Sequence, residues 1–119
     1  MRNVVIVDGL RTPFGRLGGG LKQFYNSDMG AITIRALLER NQLDPKEVDA
    51  VYYGTANGDI LCNNVGRFTA LKAGLPYECS AVGVEMQCGS AIDCMNHDAS
   101  NFKVLLKKAP LKLAETSLR

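Results

Sequence analysis

With 119 residues, 46% of them hydrophobic and 22% charged, the chain has the composition of one small globular core and not of a disordered polymer. It contains no run of about 18 apolar residues, so no membrane-spanning helix is expected. The net charge of +2 is unevenly placed: residues 1–100 hold 9 Lys/Arg against 11 Asp/Glu, whereas Lys103, Lys107, Lys108, Lys112 and Arg119 face Glu115 alone in residues 101–119. Basic tails can touch nucleic acid or anionic lipid. No aromatic interleaves these charges after Phe102, however, so a solvated tail without a nucleic-acid partner is the expected reading.

In chain order, Val4–Val7 is a β-branched run that predicts a strand buried on both faces. It is too short for the apolar core of a signal peptide. A Gly-rich loop follows over Arg11–Ser27. Ser27 or Asp28 is placed to cap a first helix running to about Arg40, with Met29, Ile32, Ala36 and Leu37 at helical spacing. Asp44, Pro45 and Glu47 then fit the cap, first and third positions of a short helical turn. Val48–Thr55 predicts a second strand, closed by Asn57-Gly58. Asn63 or Asn64 opens a second helix and Gly74 ends it. Ser80–Met86 predicts a third strand, and Cys88-Gly89-Ser90 starts a third helix to about Ser100. Strand and helix alternate three times, which argues for an α/β unit with parallel strands and right-handed crossovers.

Cys88 carries the chemistry in this reading. It sits where a predicted strand hands over to a predicted helix, and there unpaired amide hydrogens and the helix dipole favour an anion. The thiolate is the nucleophilic form of cysteine. Gly89 removes a side chain that would crowd an approaching substrate, and the arrangement parallels the strand–turn–helix elbow of serine hydrolases. Position alone does not single Cys88 out, because free cysteine is among the most buried residue types. Cys62, Cys79 and Cys94 fit that structural role better. Cys94 lies on roughly the opposite side of the helix from Cys88, so no disulfide between them is expected. The four cysteines form no zinc pattern, and reduced thiols in the cytosol are the default.

His97 is the single histidine. It lies nine positions after Cys88, about 13 Å along a continuous helix, and is read as a surface residue out of reach of the sulfur. That argues against a self-contained cysteine peptidase. Gly15–Gly20 (GRLGGG) lacks the spacing of a phosphate-binding loop and is read as structural. Asp8, at the end of the first predicted strand, is read as a turn former before Gly9.

Several pieces of the sequence resemble the thiolase family in collinear order over about residues 3–98. They are VVIVDGLRTPFGRLGGGLK (Val4–Lys22), ALLERNQLDPKEVDAV, YYGTANGD, GRFTALKAGLP and, above all, EMQCGSAIDCMNH (Glu85–His97). The resemblance implies a thiolase-like α/β fold, here a partial βαβαβα unit with three parallel strands. It implies that Cys88 takes the acyl group of a coenzyme A thioester, as in an acetyl-CoA C-acetyltransferase. In the family a second cysteine deprotonates acetyl-CoA and the carbanion attacks the acyl-enzyme; the reverse reaction is thiolysis of a 3-ketoacyl-CoA. Two histidines and an Asn-held water assist. It further implies lipid metabolism, a homo-oligomer and no permanently bound cofactor or metal. Only Cys88 can be carried over, since the family's Gly-His-Pro, Cys-x-Gly and Asn-Glu-Ala motifs have no counterpart here. A carrier-protein-dependent ketoacyl synthase is the weaker match, because the RTPFGRLGGGL opening speaks against it.

From about Ser100 the sequence departs from the family pattern. Residues 1–100 are therefore expected to form a partial thiolase N-terminal domain and 101–119 a basic non-family tail. The expected alternative to an enzyme is a truncated, non-catalytic piece that acts at most by associating with full-length subunits. A 119-residue piece of this kind is expected to be inactive alone and poorly stable, with Val4–Val7 as an exposed apolar edge.

Overall fold

A computed structural model describes residues 4–101, and side chains through residue 97. The basic tail assigned to 101–119 lies, from residue 102 on, outside the described residues. The elements in chain order are α1 (Asn26–Arg40), a 3-10 turn (Pro45–Glu47), β1 (Ala50–Thr55), α2 (Val65–Lys72), β2 (Ser80–Glu85), a second 3-10 turn (Gln87–Gly89) and α3 (Ser90–Asn101). β1 and β2 pair in parallel with Ala50 opposite Ser80 and Thr55 opposite Glu85. Both strands therefore end at the same edge, as a β–α–β crossover requires.

The pleat of β1 sorts its neighbours into layers. Val51 packs against the buried cluster, while Tyr53 and Thr55 reach Asn26 at the start of α1. The alternate residues face the other way: Tyr52 stacks on His97 of α3, and Gly54 lies under the first residues of α3. Successive side chains on a strand point to opposite faces, so α1 and α3 cover opposite sides of β1. The core on the α1/α2 side comprises Ala31, Val48, Ala70, Ala73, Leu75 and Cys79. Four of these six side chains are Ala or Cys. Because fully burying a large aliphatic side chain contributes about 1.5–3 kcal/mol, and the core holds few of them, its apolar stabilisation is thin.

Polar contacts join the helices. Lys72 Nζ donates to Asp28 Oδ1 at 2.6 Å and to Ser27 Oγ at 3.2 Å. That hydrogen bond, with one from the Tyr25 N–H, holds the Asp28 carboxyl below its ordinary value. Asp28 therefore sits at the third position of α1, its carboxylate reaching back to the Tyr25 amide at 3.0 Å. Ser27 is fully buried and engaged by Lys72. The helix, capped at Tyr25, consequently starts two or three residues earlier than a Ser27 or Asp28 cap would place it. Asn64 does cap α2, accepting from Arg67 N at 3.0 Å, and Asp44 caps its turn by accepting from Lys46 N at 2.9 Å. Gly74, at φ +84, ends α2. Its N–H bonds Leu71 O and the next N–H bonds Ala70 O, both at 3.1 Å, the paired closure that a left-handed residue permits.

The first predicted strand does not form. Val4–Val7 lies outside any strand, and its residues are 47–80% exposed. The described sheet has two strands in place of the three expected. A β-branched run becomes a strand only when neighbouring backbone supplies hydrogen bonds and a packing surface. β1 and β2 use each other, and the segment is tethered instead through Asp8. Its carboxylate accepts from Arg40 Nη2 at 2.9 Å, Asn41 Nδ2 at 2.8 Å and Gly9 N at 2.7 Å. The bonds from Asn41 and Gly9, aided by the Arg40 charge, hold the Asp8 carboxyl below its ordinary value. Asp8 thus anchors this segment on the end of α1, and no turn forms at Asp8-Gly9, where the chain runs on irregularly.

α2 approaches β2 at backbone distance. A Cβ on Gly66 would stand 2.5 Å from Val82 O and 2.9 Å from Gly83 N, neither of which belongs to a flexible side chain. Gly66→Ala is accordingly expected to lower stability by about 1–3 kcal/mol, despite the better helix propensity of alanine. A urea midpoint equal to that of the parent chain would contradict this packing.

Candidate active site

The parallel strands release the chain at one edge, and the polar residues gather there. After Glu85 the backbone turns sharply. Gln87 adopts φ +45, a left-handed conformation uncommon for a residue with a side chain. Such a conformation costs on the order of 1–3 kcal/mol and persists only where its surroundings hold it. Two groups do so here. Gly89 N donates to Met86 O at 3.0 Å. Ser90, only 3% exposed, accepts from Met86 N at 2.8 Å, and its hydroxyl faces the carbonyls of Thr55 and Gln87, each at 2.8 Å.

Cys88 rides on this turn and is exposed. It precedes α3 instead of opening it: residues 87–89 form a separate 3-10 turn, and the regular helix begins at Ser90. The elbow expected from the sequence is present, with the strained backbone at Gln87, one residue before the thiol. The space around it is open. A Cβ on Gly89 would meet only the flexible end of Met86, at 3.3 Å, so internal packing does not require glycine there. The other cysteines are placed differently. Cys79 and Cys94 are buried, Cys62 is half-buried, and all four are free thiols. Burial pushes the Cys79 thiol up, with Asp49 adding to the rise and Arg67 opposing it.

A second polar group ties this edge to α1. Asn26 Nδ2 donates to Thr55 Oγ1 at 2.9 Å, and Thr55 Oγ1 donates to Asn57 O. The Tyr53 hydroxyl has Asn26 O at 2.8 Å and Asn26 Oδ1 at 2.7 Å as acceptors. Burial, and secondarily the charge of Asp59, pushes the Tyr53 phenol up. Asp59 in turn orders its loop, accepting from Leu61 N at 3.0 Å. Sequence reasoning passed over Asn26, Tyr53, Thr55 and Asp59. Their one legible signal is the fall of Thr55 at a strand end, where α/β proteins collect functional polar groups.

His97 contacts Asp93 and Tyr52. Its Nε2 lies 3.3 Å from Asp93 Oδ2, one helical turn back, and its ring stacks on Tyr52 with centroids 6.2 Å apart. The Gly15–Gly20 loop is a turn closed by Gly19 N to Arg16 O at 2.9 Å, with Phe14 and Leu17 fully exposed. Among the described residues no cluster of His, Cys, Asp and Glu could hold a metal ion, and no helix is long and apolar enough to cross a membrane. The burial pattern makes a direct expectation for iodoacetamide. Cys88 should label first and Cys62 more slowly, while Cys79 and Cys94 stay protected under native conditions. Equal labelling of all four, read by peptide mass spectrometry, would contradict the described packing.

Residues 4–105 match the family model described as "Thiolase, N-terminal domain". A beta-ketoadipyl-CoA thiolase of Acinetobacter baylyi is 50% identical over 105 residues, which cover 87% of this chain and 26% of that protein. A 3-oxoadipyl-CoA/3-oxo-5,6-dehydrosuberyl-CoA thiolase of Escherichia coli is 42% identical over the same coverage. A 3-ketoacyl-CoA thiolase of Vibrio cholerae is 43% identical over 103 residues, or 84% of this chain and 26% of the relative. The chain thus spans about a quarter of the length of these relatives.

Proposed function

The chain belongs to the thiolase family, and from that premise we propose that it carries the acyl-accepting nucleophile of a thiolase-type acyltransferase, Cys88. The observation that supports this most is the exposure of Cys88 on a strained turn at the carboxyl edge of parallel strands. In the proposed step the Cys88 thiolate attacks the thioester carbon of an acyl-CoA. A carbon–sulfur bond to Cys88 forms as the bond to the coenzyme A sulfur breaks, and the coenzyme leaves as a thiolate that takes up a proton. The acyl group then passes to an acetyl-CoA carbanion in Claisen condensation, or arises from a 3-ketoacyl-CoA in thiolysis. The named substrates of the relatives share the 3-ketoacyl-CoA unit, and that unit is the substrate class we assign. Coenzyme A thioesters enter as substrates, without a resident cofactor. Assembly with copies of itself and a cytosolic location, where thiols stay reduced, complete the reading.

This chain contains one histidine, and that ring is engaged by Asp93 and Tyr52. A positioned general base commonly contributes about 10²–10⁴-fold, so acylation by this chain alone should be slow by a factor in that range. A second reading follows: the chain acts through association with longer thiolase subunits. It is favoured by the exposed apolar side chains of Val4–Val7, Ile92 and Met95. One experiment separates the two. After incubation with acetyl-CoA, mass spectrometry should find one acetyl group on Cys88, lost in Cys88→Ala. Labelling of Cys88 no greater than that of Cys62 would reject acyl transfer by this chain and leave association as the reading that stands.

A further inference from the structure

The contacts that hold the turn before Cys88 converge on one buried oxygen. Ser90 Oγ takes the N–H of Met86, just before the left-handed Gln87, and faces the carbonyl of Gln87 itself. The same hydroxyl faces Thr55 O at the end of β1. A hydroxyl has one proton to donate, so the two carbonyls share it while the lone pairs serve Met86. The oxygen thereby brackets the strained residue on both sides and fastens it to the neighbouring strand. Thr55 is itself fixed through its side chain by Asn26, and Asn26 by Tyr53. Gly54 lets this happen: a Cβ there would stand 2.9 Å from the backbone C and O of Ser90.

We propose that Ser90 is a positioning residue for acyl transfer at Cys88, its hydroxyl holding Gln87 left-handed so that the thiol is presented outward at the sheet edge. This rests on the reading of Cys88 as nucleophile and adds the residue that sets its geometry. An ordinary serine near a helix start would do less. Losing such a cap weakens the helix as a whole, and nothing at position 87 would repair it. If Ser90 works by holding Gln87, a residue that adopts positive φ without strain should replace that work, and glycine is that residue.

The test is iodoacetamide alkylation of the full 119-residue chain, followed at all four cysteines by peptide mass spectrometry, with acetyl-CoA acylation measured in parallel. In Ser90→Ala the Cys88 rate should fall several-fold as the thiol loses its outward presentation. Cys62 should hold its rate, and Cys79 and Cys94 should stay protected. Adding Gln87→Gly to Ser90→Ala should restore most of the Cys88 rate. An unchanged Cys88 rate in Ser90→Ala overturns the proposal, and so does a loss that Gln87→Gly leaves in place. Should Ser90→Ala unfold, seen as labelling of Cys79 and Cys94, the double variant decides. A folded double variant with a near-parental Cys88 rate supports the proposal; an unfolded or slow one overturns it. A parent chain that alkylates at Cys88 yet accepts no acetyl group sinks the acyl-transfer reading separately, while the alkylation comparison still decides what Ser90 holds.

Discussion

The start of α3 lies directly against the backbone of β1 at Gly54, and the geometry around Cys88 depends on that approach. Ser90 and Ala91 come so near that no side chain fits between them and the strand. At this distance the Ser90 hydroxyl reaches Thr55 O and closes on the turn that follows β2. Two parallel strands, one crossover helix and one glycine thus fix where the chain must bend. The strain of the bend is local to Gln87, and hydrogen bonds of about 0.5–1.5 kcal/mol each are enough in combination to hold it. The thiol then faces solvent without a side chain at position 89 to shield it.

The rest of the described unit supports this edge unevenly. The α1/α2 face has a small core rich in alanine, reinforced by the Lys72–Asp28–Ser27 contacts and by the Asp8 anchor on Arg40 and Asn41. The opposite face carries α3, where Ile92 and Met95 remain exposed. Thr69 sits fully buried in α2, and its hydroxyl has no hydrogen-bond partner among the described residues. An unpaired buried hydroxyl costs about 1–3 kcal/mol, so this interface is weaker than its close fit suggests. A two-stranded sheet with so little large apolar burial leaves the polar clusters to set much of the local order.

Much of this was legible in the sequence, for physical reasons that differ by element. Asp44-Pro45, Asn64 and Gly74 were readable because caps and left-handed stops depend on the few residues that make them. Ser80–Glu85 and the last six residues of Val48–Thr55 were readable because their apolar runs find a partner in each other. Val4–Val7 is more uniformly β-branched than either and failed as a strand, because pairing is a property of the neighbour and the run alone does not supply one. The expected elbow at Cys88 was found, but its detail was not: a helix signal beginning at Cys88 could not reveal that the left-handed residue is Gln87 and that the regular helix waits until Ser90. The Asn26–Tyr53–Thr55 group was missed because it joins residues 27 and 29 positions apart, and no local pattern reports contacts at that range.

The chemistry proposed for Cys88 is that of the family, and the fold gives the exposed thiol its place. What ties them together is the hydrogen bond from the Met86 amide to the buried Ser90 oxygen, since it exists only while the turn before Cys88 is closed. Amide hydrogen exchange at Met86 reads that bond directly. The expected result is exchange markedly slower than in an unstructured peptide, with protection lost on Gly54→Ala. Exchange at the free-peptide rate in the parent chain would contradict the closed turn, and with it the structural case for Cys88.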